Sequence, residues 1–161
     1  MFETILLPLD GSELAESALD AALQVKTRFN ACLILLRSVE SASHHMMQAA
    51  GVMESPAAAV ANVELIQEMT EAEKHEAETY LASVRDRIGA TDVETLVVEG
   101  DAAQTIVETA TQRKVGLIVM SSHGRGGLGR LVFGSVADGV LRESRTPVLL
   151  IRDPEAAQKS S

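Results

Sequence analysis

Near its start the chain reads Thr4-Ile5-Leu6-Leu7-Pro8-Leu9-Asp10-Gly11-Ser12-Glu13-Leu14-Ala15-Glu16, and this stretch decides the fold. Residues 4–9 form an apolar run too short for a helix and are read as a strand. Gly11-Ser12 makes a turn. Ser12 is placed to cap the helix that follows, with Glu13 and Glu16 in its first turn, where carboxylates favour the positive end of the helix dipole. Ala15, Ala18, Leu19, Ala22 and Leu23 recur at helical spacing and form that helix's buried stripe. A strand running straight into a helix is the first half of a βαβ unit.

The same alternation continues along the chain. Residues 31–39 are aliphatic and β-branched and form a second strand, in which Cys32 reads as a buried structural thiol. Residues 40–59 are less regular, with His44-His45-Met46-Met47, Gly51 and Pro56. A long helix is expected over about residues 60–88, with Val63, Ile66, Met69, Ala77, Tyr80, Leu81 and Val84 as its apolar positions and Gly89 as its stop. Residues 93–98 and 115–120 form the third and fourth strands, and residues 102–113 and 135–144 the third and fourth helices. Thr146-Pro147 sets up a last strand over residues 148–151. Residues 1–152 read as one domain and residues 153–161 as a frayed tail. The order predicts an α/β fold of parallel strands joined by right-handed crossovers, with helices on both faces. Ligands in such sheets bind outside the carboxyl ends of the strands, where strand order reverses. Residues 8–12 and 121–135 would meet there.

Composition agrees. Of 161 residues, 46% are hydrophobic, yet only three Phe, one Tyr and no Trp contribute aromatic area, so the core is aliphatic, as in a buried parallel sheet. The formal net charge of −9 argues against nucleic acid as a partner. Locally the sign reverses: Arg125 and Arg130 lie within residues 121–135, which contain no acid, and screening over about 8 Å leaves that local charge in control. Cys32 is the only cysteine, which excludes an internal disulfide framework and suits a reducing compartment. No basic leader precedes the first strand, and no apolar run approaches the ~20 residues of a membrane span. The expectation is a cytoplasmic protein away from membranes. His44, His45 and His75 are read as solvent-exposed, and no resident metal site is assigned.

The chemistry lies in Ser121-Ser122-His123-Gly124-Arg125-Gly126-Gly127-Leu128-Gly129-Arg130-Leu131-Val132-Phe133-Gly134-Ser135. Four glycines within residues 124–129 leave backbone N–H groups uncovered for phosphate oxygens. Gly134-Ser135 then opens a helix whose N-terminus carries about half a positive charge, with the Ser135 hydroxyl at the N-cap. Residues 124–129 also spell G-x-G-x-x-G, the dinucleotide fingerprint, but three residues separate them from Met120 and their glycines are poorly suited to opening a helix. Residues 124–131 approach the Walker A pattern, but Arg130 and Leu131 replace its lysine and hydroxyl. A ligand-free surface turn is the bland alternative.

Together these motifs resemble the universal stress protein family, and in particular its ATP-binding branch, marked by G-x2-G-x9-G-[ST] after the fourth strand of a five-stranded α/β domain. Gly124 and Gly134-Ser135 reproduce the second half of the pattern, and Ser121 stands in place of its first glycine. Residues 5–12, Val98-Glu99-Gly100-Asp101 and Thr146-Pro147-Val148-Leu149-Leu150-Ile151 are similar to other family motifs. The resemblance implies an adenine-nucleotide α-hydrolase-like sheet of order 3-2-1-4-5, with ATP and Mg²⁺ as ligands. It implies Asp10 at the ribose hydroxyls, Pro8 along the adenosine pocket and Ser38 offering backbone to adenine. Met120, Ser121, His123 and Gly124 would follow ribose and α-phosphate, joined by Arg125 and Gly127, while Gly134, Ser135 and Val136 would take the outer phosphates. It also points to a homodimer through the last strand. For Asp10 alone, a turn-forming or helix-capping role stands as the alternative. Because Ser121 is not glycine, its N–H can serve only if its backbone does not need positive φ. The functional expectation is a nucleotide-dependent stress-response or signalling module. A slow ATPase or phosphotransferase, or a scaffold of the same fold that binds no nucleotide, are the alternatives. No residue is assigned a catalytic role.

Overall fold

The computed structural model describes residues 2–40, 56–122 and 134–152, with the side chains of residues 56–62 left aside. Its elements, in chain order, are β1 (Thr4–Pro8), α1 (Glu13–Glu16), α2 (Leu19–Phe29), β2 (Cys32–Val39), α3 (Pro56–Ile88), β3 (Val93–Glu99), α4 (Ala102–Gln112), β4 (Leu117–Ser122), α5 (Ser135–Glu143) and β5 (Val148–Arg152). All four strand pairings are parallel, in the order β3-β2-β1-β4-β5.

Successive side chains of a strand point to opposite faces, and the two cores follow that rule. Ile5 and Leu7 pack with Leu33, Leu35 and Val119 beneath α1, α2 and α3, against Ala18, Ala22, Leu81 and Val84. Leu6 packs with Ile34, Leu36, Ile118 and Met120 beneath α4 and α5, against Ile106, Ala110, Ala137 and Val140. Central β1 is therefore apolar at every position from Ile5 to Leu7, each with no exposed surface. Pro8 ends it. The pairing with β2 continues one step further, with Leu9 N–H donating to the Leu36 carbonyl at 2.8 Å.

Three expectations need correction. The first helix is not continuous: it breaks between α1 and α2 at Ser17-Ala18, where the Ser17 hydroxyl donates back to the Leu14 carbonyl at 2.7 Å and competes with helical continuation. Cys32 is exposed, because it opens β2 at the amino-terminal rim of the sheet, where its N–H donates to the Glu3 carbonyl. Met69 is 54% exposed, as is Leu65, while Thr70 is buried. The buried stripe of α3 passes through Ile66, Thr70 and Ala77, and Thr70 is accommodated by donating its hydroxyl to the Ile66 carbonyl at 2.9 Å. The helix stop is as expected: Gly89 has φ +65°, the left-handed region that glycine enters without steric cost.

Candidate functional site

β2 pairs with one side of β1 and β4 with the other, so the chain reverses its direction of sheet growth at β1. At the carboxyl ends of β1 and β4, a cleft opens. Pro8 and Asp10 line it from β1 and the turn beyond, Ser38 from β2, and Met120 and Ser121 from β4. Gly134, Ser135 and Val136 line it from the start of α5. These eight sequence-predicted residues thus come together in one place. His123, Gly124, Arg125 and Gly127 lie outside the described residues.

The Asp10 turn is built locally. Asp10 Oδ1 accepts from the Ser12 N–H at 2.9 Å and from the Ser12 hydroxyl at 2.6 Å. Ser12 Oγ in turn accepts from the Ala15 N–H at 3.1 Å and caps α1. The turn-forming role of Asp10 is therefore real, and it fixes the direction of a carboxylate that also borders the cleft. Gly11 makes the bend possible, with φ +87°.

Ser121 sits in the extended backbone of β4, opposite Ile151, and positive φ among the described non-glycine residues falls only at Asn30 and Lys114. Serine is thus accommodated here without backbone strain, as the sequence reading required. At the next contact the reading shifts by one residue. The N-cap of α5 is Gly134, with no side-chain cap hydrogen bond, and Ser135 is the first helical residue. A glycine at the cap lets a ligand approach the first turn more closely than a capping side chain would.

The apolar wall was not singled out from the sequence. Leu14, Leu36, Ala102 and Ile106 line the cleft, at positions whose spacing reads only as core. Ala102 was within reach, since it follows the Gly100-Asp101 turn that carries part of the family resemblance. Behind the Asp10 turn lies an ionic cluster. Tyr80 Oη donates to Glu16 Oε1 at 2.9 Å and Arg87 Nη2 donates to Glu16 Oε2 at 2.7 Å. Burial raises the Glu16 pKa, but the hydrogen bonds from Arg87 and Tyr80 and the Arg87 charge outweigh it and hold the carboxyl below its usual value. Burial, then the Glu16 hydrogen bond, push the Tyr80 phenol well up, with a further contribution from the Asp10 charge. Among the described residues no group of three or more His, Cys, Asp or Glu is placed to hold a metal ion, and no helix is long and apolar enough to cross a membrane.

The model of the Universal stress protein family matches residues 1–152. Universal stress protein MJ0531 of Methanocaldococcus jannaschii is 30% identical over 155 residues, spanning 96% of this chain and 85% of that relative. The solved structure of MJ0577 from the same organism superposes with a TM-score of 0.66 at 29% identity, covering 95% of this chain and 97% of the other. A universal stress protein in complex with cAMP superposes with a TM-score of 0.56 at 27% identity, covering 92% and 95%.

Proposed function

The chain belongs to the universal stress protein family, and from that premise we propose that it is an adenine-nucleotide-binding stress-response module that takes ATP with Mg²⁺. One observation carries the reading. The Asp10 turn, the end of β4 and the uncapped start of α5 line one cleft at the point where strand order reverses. The apolar wall suits a base, the Asp10 carboxylate suits sugar hydroxyls, and the α5 terminus suits phosphate. The cAMP complex of a structural neighbour supports an adenine nucleotide as the ligand class. Mg²⁺ would enter on the phosphates, since it commonly keeps its waters and substrate oxygens as ligands.

The module binds and does not catalyse proficiently. Backbone donors at a helix start hold ground-state phosphates as well as a transition state, and uniform binding does not speed chemistry. It works in the cytoplasm as a homodimer. β5 is an edge strand, and its Leu149 is 36% exposed, which leaves an aliphatic edge for a second copy. Light scattering at 17.1 kDa, the monomer mass, would refute the dimer. The primary test is mass spectrometry of small molecules released from the purified, denatured protein, followed by calorimetric titration with ATP and Mg²⁺. Micromolar binding is expected. No heat and no thermal shift at millimolar nucleotide would assign the chain to a scaffold of the same fold.

A further inference from the structure

The turn that carries Asp10 leads into a helix of only four residues, Glu13–Glu16, so local structure gives it little rigidity of its own. Two distant elements brace it. Arg37, on β2, lies against the turn: its Nη1 would stand 3.4 Å from a Cβ placed on Gly11. Its side chain is 15% exposed, with Nη2 3.8 Å from Glu76. The guanidinium sits over the ring of Tyr80, 5.4 Å from the centroid. Tyr80 and Arg87, both on α3, also grip Glu16 at the end of α1. One tyrosine therefore serves both braces, its ring beneath Arg37 and its hydroxyl on Glu16. Asp10 directly precedes the first braced point, the Gly11 bend, and its carboxylate is bonded to Ser12, which lies between the two.

We infer that Arg37 is a positioning residue for nucleotide recognition: stacked on Tyr80 and packed against Gly11, it holds the Asp10 carboxylate where sugar hydroxyls can reach it. The inference rests on the adenine-nucleotide reading and names a side chain, outside the cleft lining, on which sugar discrimination depends. A flat, delocalised cation suits this place because it stacks on the ring and packs under the backbone at once, which a lysine ammonium does not.

The test compares ATP with 2′,3′-dideoxy-ATP, which lacks both sugar hydroxyls, by calorimetric titration of wild type, Arg37→Ala, Arg37→Lys and Asp10→Ala. Wild type should prefer ATP by roughly tenfold or more, the loss expected for a charged hydrogen bond. Arg37→Ala should lose most of that preference while its affinity for dideoxy-ATP stays within about twofold, and adding it to Asp10→Ala should cost little more, as for coupled sites. Arg37→Lys should fall between. Should Arg37→Ala not fold, Tyr80→Leu removes the ring beneath Arg37, and a partial loss of the preference is expected there. Equal weakening of both nucleotides, or no change in either, would reduce Arg37 to a structural residue and overturn the inference while nucleotide binding stands. A wild type that binds both nucleotides equally would also overturn it. A wild type that binds neither would overturn the nucleotide reading and the inference together.

Discussion

α4 and α5 both begin at the rim of the cleft, and they begin in opposite ways. Asp101 caps α4, its carboxylate accepting from the Gln104 N–H at 3.0 Å. Gly134 starts α5 with no side-chain cap. Each helix start presents unpaired N–H donors and the positive end of a dipole. At α4 the protein supplies its own anion and the end is satisfied from within. At α5 no side chain caps the end, and the one acid of its first turn, Asp138, is held by Arg142. The difference teaches that a helix terminus beside a cleft is not in itself a binding site; what matters is whether the chain has already filled it.

The strongest way to break that comparison is to give α5 the cap that α4 has. Gly134 has φ −58° and ψ 157°, a backbone open to any L-residue, so Gly134→Asp tests charge without strain. ATP affinity should fall roughly 100-fold, about 2.7 kcal/mol, because the new carboxylate occupies the donors and repels phosphate. Stability should rise by no more than a few tenths of a kcal/mol. Titration and thermal unfolding of the same sample read both. Unchanged ATP affinity would remove the phosphates from α5.

The reverse substitution sharpens the contrast. Asp101→Ala should cost about 1 kcal/mol of stability through the lost cap and leave ATP affinity within about twofold of wild type, since this terminus is structural. Denaturant unfolding beside titration checks it. A marked gain in affinity would mean that α4 also faces the phosphates.

The mildest test uses protons and concerns α1, the third helix at the rim. Glu16 is held below the usual carboxylate value in the folded protein. Its contribution is therefore fully present above the ordinary value of 4.5 and lost as pH falls through the lowered folded value. With its side chain 25% exposed, the effect should stay under about 1 kcal/mol. Unfolding curves from neutral pH to about pH 3 should show a smaller acid loss in Glu16→Gln than in wild type, and parallel curves would discount the Arg87–Glu16–Tyr80 cluster.

Much of the fold was legible because its signals are local. Aliphatic runs such as residues 4–9, punctuated by Gly11-Ser12, mark a strand, a turn and a capped helix within a dozen residues. The strand order needed more, since alternation alone does not say that β4 returns to the far side of β1; the family resemblance supplied it. Cys32 and Met69 went wrong for different reasons. Cys32 opens β2 at the rim, and an apolar run does not say where the core that would cover it ends. Met69 lies beside a buried stripe in which a threonine, Thr70, takes the buried position and the apolar Met faces out. In the cleft, Asp10 and the Gly134-Ser135 start were visible as motifs, whereas Leu36 and Ile106 look like any core residue until their strand and helix end beside each other. The brace behind Asp10 was not legible at all. Glu16 meets Tyr80 and Arg87 across 64 and 71 residues of sequence, and no short-range pattern announces such a meeting.

Gly139, in the middle of α5, has one further consequence. A glycine there weakens an isolated helix by about 1 kcal/mol relative to alanine, yet it lets α5 lie so near α4 that a Cβ at 139 would stand 2.8 Å from the Ala103 Cβ. An alanine at 139 would have to push the two helices apart. The absence of a side chain there is therefore what permits the present spacing of the α4 and α5 termini. A guest of the right size would meet a calibrated gap, and little of its association free energy would be spent on ordering this wall.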